Sequence, residues 1–253
     1  MTRRAAIAWT RVAVVVGAVL LLEVLCRTAV INPLTVIPPS AMVVALWEML
    51  RSGDITGDIA QTFSTVLAAF IASVVVGFGI GALVHALPRV RRAIDPLLAS
   101  YYAVPFFVFY PLLVALFGLN TLPLVAIGFI SATPAMMIAT LIGLDRVPPV
   151  LRKVARIQRL GRVRTVLSVT LPSALPHLFS GLKLALAYAF IGVIAGEFIL
   201  SGGGLGYAIA YAYESFENRT MYGLMLFVLL TATVTNGVLA AWEAHIAARR
   251  RRA

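Results

Sequence analysis

The sequence predicts an all-α, polytopic membrane protein with six transmembrane helices, built as a single domain over residues 1–253. Three observations predict this fold class. Hydrophobic residues make up 61% of the chain and charged residues only 12%, and the mean hydropathy of +0.96 is far above that of a soluble domain. The apolar residues form six segments long enough to cross a bilayer. The cations are concentrated between these segments, as expected for cytoplasmic loops.

The six predicted spans are interrupted in places by Gly and Pro, which neighbouring helices in a membrane tolerate. They run over about Ile7–Val30, Phe63–Leu87, Leu97–Phe117, Leu122–Leu144, Leu178–Leu200 and Met221–Ala244. The first follows Arg3 and Arg4 and so resembles a secretory signal. We expect a retained span instead, because Leu25 is too bulky for the small residue that cleavage requires and Glu23 interrupts the apolar run.

The distribution of cations predicts that both termini lie in the cytoplasm. Sixteen of the 21 Lys and Arg residues fall on one predicted side of the membrane: Arg3, Arg4, Arg89, Arg91, Arg92, Arg146, Arg152, Lys153, Arg156, Arg159, Arg162, Arg164 and Arg249 to Arg252. The other side carries Arg51, Arg219 and, near a span end, Arg27. Because cytoplasmic loops carry the excess of cations, we expect a multi-pass protein of the inner or plasma membrane with this orientation.

The connection between the fourth and fifth spans, residues 145–177, is unusually basic. Its apolar residues recur at every third position: Leu151, Val154, Ile157, Leu160, Val163 and Val166. This period drifts by about 60° per step around a helix of about 3.6 residues per turn, so one straight helix cannot keep them on one face. We therefore predict two short helices broken near Gly161, which together form a docking surface for a cytoplasmic partner.

Two other segments are predicted to lie outside the cell membrane. Residues 32–58 contain a short helix with Ser40 as its N-cap and an apolar face, which either lies at the membrane surface or packs as a connector. Residues 201–223 begin with the Gly-rich run SGGGLG. No strand precedes this run and no GKS or GKT follows it, so it is not a nucleotide site. We expect a tight turn that feeds a short helix dipping back toward the membrane.

The sequence offers no constellation for catalysis or metal binding. His85, His177 and His245 have no metal-ligand spacing, and the single cysteine, Cys26, allows neither a disulfide nor a cysteine cluster. No nucleophile motif or P-loop is present, and the basic segments lack the interleaved aromatic residues of a nucleic-acid platform. We therefore expect a protein that is not an enzyme, has no metal or cofactor of its own and binds no nucleic acid.

Several motifs in this order carry a family resemblance. They are VIPPSAMVVALWEML (36–50), VRRAIDPLL (90–98), AVPFFVFYPLLVALFGL (103–119), the LP and ALP of residues 171–176, and SGLKLALAYAFIGVIAGEFILSGGGLGYAI (180–209). The resemblance that they carry extends over nearly the whole chain, and the combination is more specific than any single motif. The chain resembles the membrane permease subunit of a bacterial ABC importer of the nitrate/sulfonate/taurine type, a family that also serves thiamin-precursor pyrimidines and riboflavin.

The resemblance implies a type I importer permease that works by alternating access. The basic loop would dock into a cleft on a cytoplasmic ATPase through Leu151, Arg152, Lys153, Val154, Ala155, Arg156, Ile157, Arg159, Leu160 and Gly161. The implied partners are a second permease copy in a homodimer, two ATPase subunits that carry ATP and Mg, an extracytoplasmic substrate-binding protein and membrane lipid. The chain itself would not hydrolyse ATP.

The loop departs from the signature of that family, which is Glu-Ala-Ala, three residues and Gly. Aligned on the Leu-Pro of residues 171–172, Lys153 stands in place of the family's Glu and Arg159 in place of its Gly. Because Arg resists the left-handed conformation that Gly adopts freely, we expect Gly161 to make the turn instead.

Candidate residues for the translocation pathway are four aromatic side chains of the third span and one acid of the fifth: Tyr101, Tyr102, Phe106, Phe109 and Glu197. Dense rings suit a flat ligand, but rings in membrane helices also serve as packing or interface anchors. Glu197 lies just before the Gly-rich segment, where a path would open. A structural role, accepting hydrogen bonds from backbone amides of that segment, is an equal alternative.

Two other functional classes compete with the importer permease. An ion-coupled secondary transporter needs charges at mid-membrane, for which Glu23 and Glu197 are the candidates. An integral membrane enzyme needs paired carboxylates or a metal cluster in the spans, and neither is present in the sequence. The expected substrate is a small organic solute, either sulfonate- or taurine-like or pyrimidine- or aromatic-like. The few external cations argue against nitrate.

Overall fold

The structure is a computed structural model that describes residues 3–28, 30–32 and 35–250. These residues form helices and no strand, which confirms the predicted all-α class. The helices are α1 (Arg3–Arg27), α2 (Pro39–Ser52), α3 (Thr56–Ala86), α4 (Pro88–Ser100), α5 (Tyr110–Phe117), α6 (Leu122–Asp145), α7 (Pro149–Ile157), α8 (Arg162–Thr165), α9 (Leu171–Leu200), α10 (Leu205–Glu214) and α11 (Asn218–Arg250). Two of the predicted cytoplasmic cations, Arg251 and Arg252, lie outside the described residues.

Within the described residues, four helical stretches are long and apolar enough to cross a membrane. They are Thr56–Ala86, Leu122–Asp145, Arg162–Ile199 and Asn218–His245. A fifth follows if the bent pair Pro88–Ala103 and Phe106–Phe117 crosses as one span. Helix α1 overlaps the first predicted span but is not among these stretches. The count of six spans stays a prediction.

The core of the molecule is the contact of α3, α6 and α9, held together by small residues. A Cβ atom at Gly128 of α6 would lie 2.8 Å from the Cβ of Ala69 on α3 and 2.9 Å from Cγ2 of Val193 on α9. Ala69 and Val193 are fully buried. In a membrane, where lipid is as apolar as the helix surface, such close backbone approach is what brings helices together. The three helices therefore form one rigid unit to which the functional segments attach.

The third predicted span is not one helix. Its two halves, Pro88–Ala103 and Phe106–Phe117, meet at an angle of 85°. Two short 3₁₀ turns, Tyr101–Ala103 and Phe106–Phe109, lie at the bend. Pro105 between them and Pro111 just after have no backbone N–H to donate, so the helical hydrogen bonds stop here. The bend places the aromatic residues of this span against α6 and α9.

Polar contacts join α1, α2 and α11. Glu23 of α1 accepts hydrogen bonds from the backbone N–H (3.0 Å) and hydroxyl (2.7 Å) of Ser40 and pairs with Arg27 (2.6 Å). Helix α2 begins at Pro39, so Ser40 lies in its first turn and the prediction of Ser40 as N-cap is wrong, because Pro38 occupies that position. Glu48 of α2 pairs with Arg219 of α11 at 2.9 Å. Glu23 thus ties two helices together.

At its other end, α11 is fastened to α9. Lys183 of α9 forms an ion pair with Glu243 of α11. Next to it the rings of Phe179 and Trp242 meet edge to face, with centroids 5.4 Å apart. A lysine inside an apolar helix is costly unless it is paired, and this contact supplies its partner.

The basic loop folds into the two short helices that its sequence predicts. Helix α7 is followed by a turn and by α8, which continues through a π-helical turn, Val166–Thr170, into α9. Leu160 donates its N–H to the carbonyl of Ala155 (3.0 Å) and Arg159 donates to the carbonyl of Arg156 (2.9 Å). This pair of bonds is a Schellman motif, in which the residue after the helix takes a left-handed conformation.

The left-handed residue of this motif is Arg159, with φ at +51°. Gly161 has φ at −61° and ψ at 160°, an ordinary extended conformation. The expectation that Gly161 makes the turn is therefore wrong. The hydrogen bonds that close α7 fix the left-handed position two residues earlier, at the place of the family's Gly, whatever residue occupies it.

We expect Arg159→Gly to stabilise the protein by up to about 1 kcal/mol. The left-handed conformation costs a non-glycine residue about 1–2 kcal/mol, and Gly removes this cost. Part of the resulting stabilisation is offset by the greater conformational freedom of Gly in the unfolded chain. Thermal unfolding of the purified protein in detergent measures the effect. Arg159→Ala, which removes the charge but keeps the Cβ atom, is the control and is expected to bring no such gain. An equal gain from Arg159→Ala would show that charge, not conformation, is responsible.

Candidate functional site

The first candidate site is the outer face of α7, where apolar side chains project away from the molecule. Ile157 is 81% exposed, Val150 66%, and Val154 and Leu151 41% each. Ala155 points inward and is only 2% exposed. Positions 150, 154 and 157 follow the i, i+4, i+7 spacing of one helix face. An exposed apolar stripe on a nine-residue helix is typical of a surface that a partner covers.

The sequence-predicted docking residues divide between this face and the body of the protein. Leu151, Val154 and Ile157 face outward with the stripe, and Lys153, Arg156 and Arg159 are exposed beside it. Arg152 points toward α6 and donates to the carbonyl of Leu144 at 2.7 Å, so it anchors α7 instead of lining the rim. Ala155 is buried and Leu160 half-buried, while Gly161 is exposed before α8.

One member of the stripe, Val150, is missing from the prediction. The period of three that marks the other apolar residues starts at Leu151 and passes over it. The helical spacing of Val150, Val154 and Ile157 is the signal that would have found it.

An ion pair lies immediately before α7. Arg91 of α4 holds Asp145, the last residue of α6, through two hydrogen bonds of 2.7 and 2.5 Å. Such a bidentate pair fixes orientation as well as distance. The bent third span is thus tied to the end of α6, just before α7.

The second candidate site is a buried polar network behind the Gly-rich segment, centred on Glu197 of α9. Glu197 is fully buried. Its carboxylate accepts hydrogen bonds from the Thr62 hydroxyl (2.9 Å to each oxygen) and from the backbone N–H of Gly206 (3.0 Å). The Thr62 oxygen also accepts from the N–H of Leu205 at 2.8 Å. The hydrogen bonding to backbone amides that the sequence left open as an alternative is present.

The same network reaches α3 at a second point. Asp58 accepts a hydrogen bond from the N–H of Gly204 at 2.8 Å. Asp58 and Thr62 lie one turn apart on α3 and together hold the segment that enters α10. Neither was singled out from the sequence, because both lie more than 130 residues from their partners and their spacing alone is common. The short helix predicted after the Gly-rich turn is confirmed as α10.

We expect Thr62→Val to destabilise the protein by about 1–3 kcal/mol. The substitution keeps the shape of the side chain but leaves a buried N–H of Leu205 without its acceptor and leaves the Glu197 carboxylate with the Gly206 N–H and without the Thr62 hydroxyl. The unfolding midpoint in detergent measures the loss. Thr65→Val is the matched control: Thr65 is also buried on α3, but its hydroxyl bonds only to the carbonyl of Gln61 in its own helix (2.8 Å), so its loss costs little. Equal effects of the two substitutions would contradict the role of Thr62.

The third candidate site is the aromatic cluster at the bend of the third span. The rings of Tyr101 and Phe106 stack with centroids 4.4 Å apart, and Phe106 lies 6.4 Å from Phe109. The Tyr101 hydroxyl donates to the carbonyl of Ile130 on α6 at 2.8 Å. Tyr102 also meets Tyr101 edge to face, with ring centroids 5.8 Å apart, so all four predicted aromatic residues are in contact and Tyr101 anchors them on α6.

Tyr102, the fourth predicted aromatic residue, turns toward α9. Its ring stacks on that of Tyr188 at 4.5 Å with only 16° between the planes. Tyr102 remains 40% exposed. Sequence reasoning missed Tyr188, since a single tyrosine in an apolar helix gives no signal. The described bonds of Glu197 go to Thr62 and Gly206, so Glu197 and the aromatic cluster form two separate sites.

Comparison with known proteins places the chain among transport proteins. The family described as binding-protein-dependent transport system inner membrane component matches residues 73–252, which is more than half of the chain. The nitrate import permease protein NrtB of Leptolyngbya laminosa is 27% identical over 72% of this chain and 65% of its own length. The taurine transport system permease protein TauC of Escherichia coli is 27% identical over 70% of this chain and 61% of its own.

This chain is also similar to a bicarbonate permease and to a subunit of a solved transporter. The bicarbonate transport system permease protein CmpB of Synechocystis is 30% identical over 66% of this chain and 57% of its own length. This chain therefore spans less than two thirds of the length of these three relatives. Among solved structures, an inward-facing conformation of the MetNI methionine ABC transporter has a chain with a TM-score of 0.64, at 17% identity, over 79% of this chain and 96% of that one. At this low sequence identity, the similarity to the MetNI chain shows only that the two chains share a fold.

Proposed function

Because this chain belongs to the family of binding-protein-dependent transport system inner membrane components, we propose that it is the membrane-spanning permease subunit of an ATP-binding-cassette importer. The observation that carries the proposal is the exposed apolar stripe of α7, flanked by cations and rigidly attached to α6. A cleft on a cytoplasmic ATPase would cover this stripe. ATP and Mg would be bound by the ATPase, and this chain would move in response without hydrolysing ATP.

The complete transporter would contain two copies of this chain, two ATPase subunits and an extracytoplasmic substrate-binding protein. The chain would lie in the inner or plasma membrane with both termini in the cytoplasm. The concentration of cations in the connections next to α7 supports this orientation. It places the Gly-rich segment and α10 on the opposite side, facing the binding protein.

One helical stretch links the docking helix to the outer side. Residues Arg162–Ile199 run continuously through α8, the π-helical turn and α9, a path of about 57 Å over 38 residues. Its outer end carries Glu197, whose hydrogen bonds hold the Gly-rich segment. A movement imposed on α7 by the ATPase would pass along this stretch and shift the Gly-rich segment relative to α3. In this mechanism Glu197 positions the outer segment, and the aromatic cluster borders the pathway.

We infer that the substrate is a small organic anion of the sulfonate type. TauC is named for taurine, NrtB for nitrate and CmpB for bicarbonate, all small solutes with an anionic oxygen-bearing group. The exposed rings of Tyr102 and Phe109 favour a solute with a carbon skeleton over a purely inorganic anion. A flat aromatic anion fits the same features.

An ion-coupled secondary transporter has less support. Both acids that such a mechanism would use have structural partners among the described residues: Glu23 joins α1 to α2, and Glu197 joins α9 to the Gly-rich segment. Uptake in cells that express this chain with its ATPase and binding protein distinguishes the two. Loss of uptake when the ATPase is omitted, or when its ATP hydrolysis is blocked, is the expected result. Uptake that persists without the ATPase and collapses with the ion gradient would overturn the proposal.

The predicted orientation is tested by labelling with a membrane-impermeant thiol reagent. The native Cys26 is only 6% exposed and is expected to stay unlabelled. Cysteines introduced at Ser52 and at Arg156, both exposed, should react from opposite faces of the membrane, Ser52 from outside intact cells and Arg156 only after lysis. Labelling of both from the same side would contradict the orientation.

A further inference from the structure

A small cavity lies where the bent third span meets α6 and α9. Its volume is about 180 Å³. One face of α9 contributes His177, Ser180 and Tyr188, and α6 contributes an apolar wall. Tyr102, at the bend of the third span, also lines the cavity. Three separate parts of the chain therefore build this cavity.

The walls of the cavity are held in place by direct contacts. Tyr102 and Tyr188 stack at 4.5 Å and form a flat ledge of two rings. On the opposite side α6 and α9 touch at Gly181, where a Cβ atom would collide with the Cβ of Ala139 and lie 3.3 Å from the sulfur of Met136. The cavity is therefore a fixed feature of the helix packing.

The polar groups that line the cavity all carry an N–H or O–H group. They are the imidazole of His177 and the hydroxyls of Ser180, Tyr102 and Tyr188. The Ser180 hydroxyl, which donates to the carbonyl of Pro176 at 3.2 Å, can turn to an anion by giving up that bond. No carboxylate or ammonium group is among the lining residues. An anionic group would meet donors here and no repelling charge, whereas a cation would find no carboxylate to neutralise it.

The position and the size of the cavity limit which molecules can occupy it. His177 and Tyr188 lie eleven residues apart, about 16 Å along α9, so the cavity runs from near the end that faces α7 to about the middle of the helix. A volume of 180 Å³ equals the share of about six water molecules in the liquid. This is room for an anionic head group on a short carbon skeleton.

We propose that this cavity is a transit site for a small organic anion, with the carbon skeleton against the rings of Tyr102 and Tyr188 and the anionic group bound by His177 and Ser180. The proposal rests on the importer function and names the residues that select the solute. It places selection on the side of the molecule that faces the docking helix, away from the Glu197 network.

The test uses the assembled transporter, with ATPase and binding protein, in lipid vesicles, and measures ATP-driven uptake of ethanesulfonate, benzenesulfonate and nitrate. Ser180→Leu fills the cavity from an exposed position and should raise KM for ethanesulfonate about tenfold or more. Tyr188→Leu removes the ring ledge and should shift the uptake ratio from benzenesulfonate toward nitrate. Because this ratio is internal to one protein sample, a general loss of folded transporter does not produce it.

Ser64→Leu is the matched control for Ser180→Leu. Ser64 is an exposed serine on another span, and each hydroxyl donates to a carbonyl of its own helix, at 2.9 Å in Ser64 and 3.2 Å in Ser180. The control should keep both KM and the uptake ratio. A Ser180→Leu protein that behaves like Ser64→Leu, or a Tyr188→Leu protein with an unchanged ratio, overturns the transit site while the importer function stands. A wild-type transporter that takes up none of the three solutes overturns the proposed substrate class itself.

Discussion

Replacing Val154 and Ile157 together by aspartate is expected to detach the ATPase or to uncouple its ATP hydrolysis from uptake. Both side chains lie on the exposed apolar stripe of α7, where Ile157 is 81% and Val154 41% exposed. Truncating one anchor in a buried contact costs about 1–4 kcal/mol, and a buried, unpaired carboxylate adds to this cost. Since 1.4 kcal/mol is a factor of ten in affinity, the loss of association should exceed tenfold. Co-purification of the ATPase and ATP-driven uptake measure it.

The control changes the charged positions beside the stripe. Lys153→Ala with Arg156→Ala alters two exposed side chains of the same helix, and rim charges contribute little to the stability of a contact. We expect near-normal association at moderate salt. Arg152 is unsuitable as a control, because its bond to the carbonyl of Leu144 holds α7 on α6. If the double aspartate protein keeps its ATPase and its uptake, α7 is not the docking element.

Gly206→Ala is expected to be the most damaging single-methyl change in the Gly-rich segment. A Cβ atom at Gly206 would collide with the carbonyl oxygen of Ile194 and lie 2.7 Å from the Cβ of Glu197 and 2.9 Å from the backbone nitrogen of Phe198. Two of these three atoms belong to the backbone of α9 and cannot rotate away. Overpacking of this kind costs about 1–3 kcal/mol, and here it also pulls the Gly206 N–H from the Glu197 carboxylate. Uptake should fall more than tenfold, with a lower unfolding temperature.

Gly202→Ala is the control within the same Gly-rich run. A Cβ atom at Gly202 meets no other atom within 4 Å. This substitution should leave the unfolding temperature and uptake close to those of the wild type. Gly204, by contrast, has φ at +97° and faces the Glu197 carboxylate, so it belongs with Gly206. Equal behaviour of Gly202→Ala and Gly206→Ala would mean that the run acts only as a flexible linker.

These substitutions probe the two ends of one mechanical path. The docking helix α7 lies at one end of the continuous helical stretch to Ile199, and the Gly-rich segment lies at the other. Damage at α7 should spare the fold and remove the input from the ATPase. Damage at Gly206 should loosen the outer segment while the ATPase stays bound. Comparing ATPase association in the two variants separates these effects.

The sequence by itself determined the features that repeat along the chain. Hydropathy located the apolar segments, and the period of three in residues 151–166 predicted two short helices with an outward apolar face, as α7 and α8 now have. The Gly-rich run and the short helix that follows it could be predicted in the same way. These properties depend on residues within one or two turns of each other, so the local pattern is sufficient to find them.

Only the tertiary structure decided how these elements meet. It gave the left-handed turn to Arg159 and not to Gly161, joined Glu197 to Thr62, and set Tyr188 against Tyr102. Contacts between membrane helices depend on the rotation and crossing of whole helices, which small residues such as Gly128 and Gly181 fix far from the contacts themselves. In an apolar span nearly every face looks alike in sequence, and so the hydropathy that locates a helix in the membrane does not tell which of its side chains face one another.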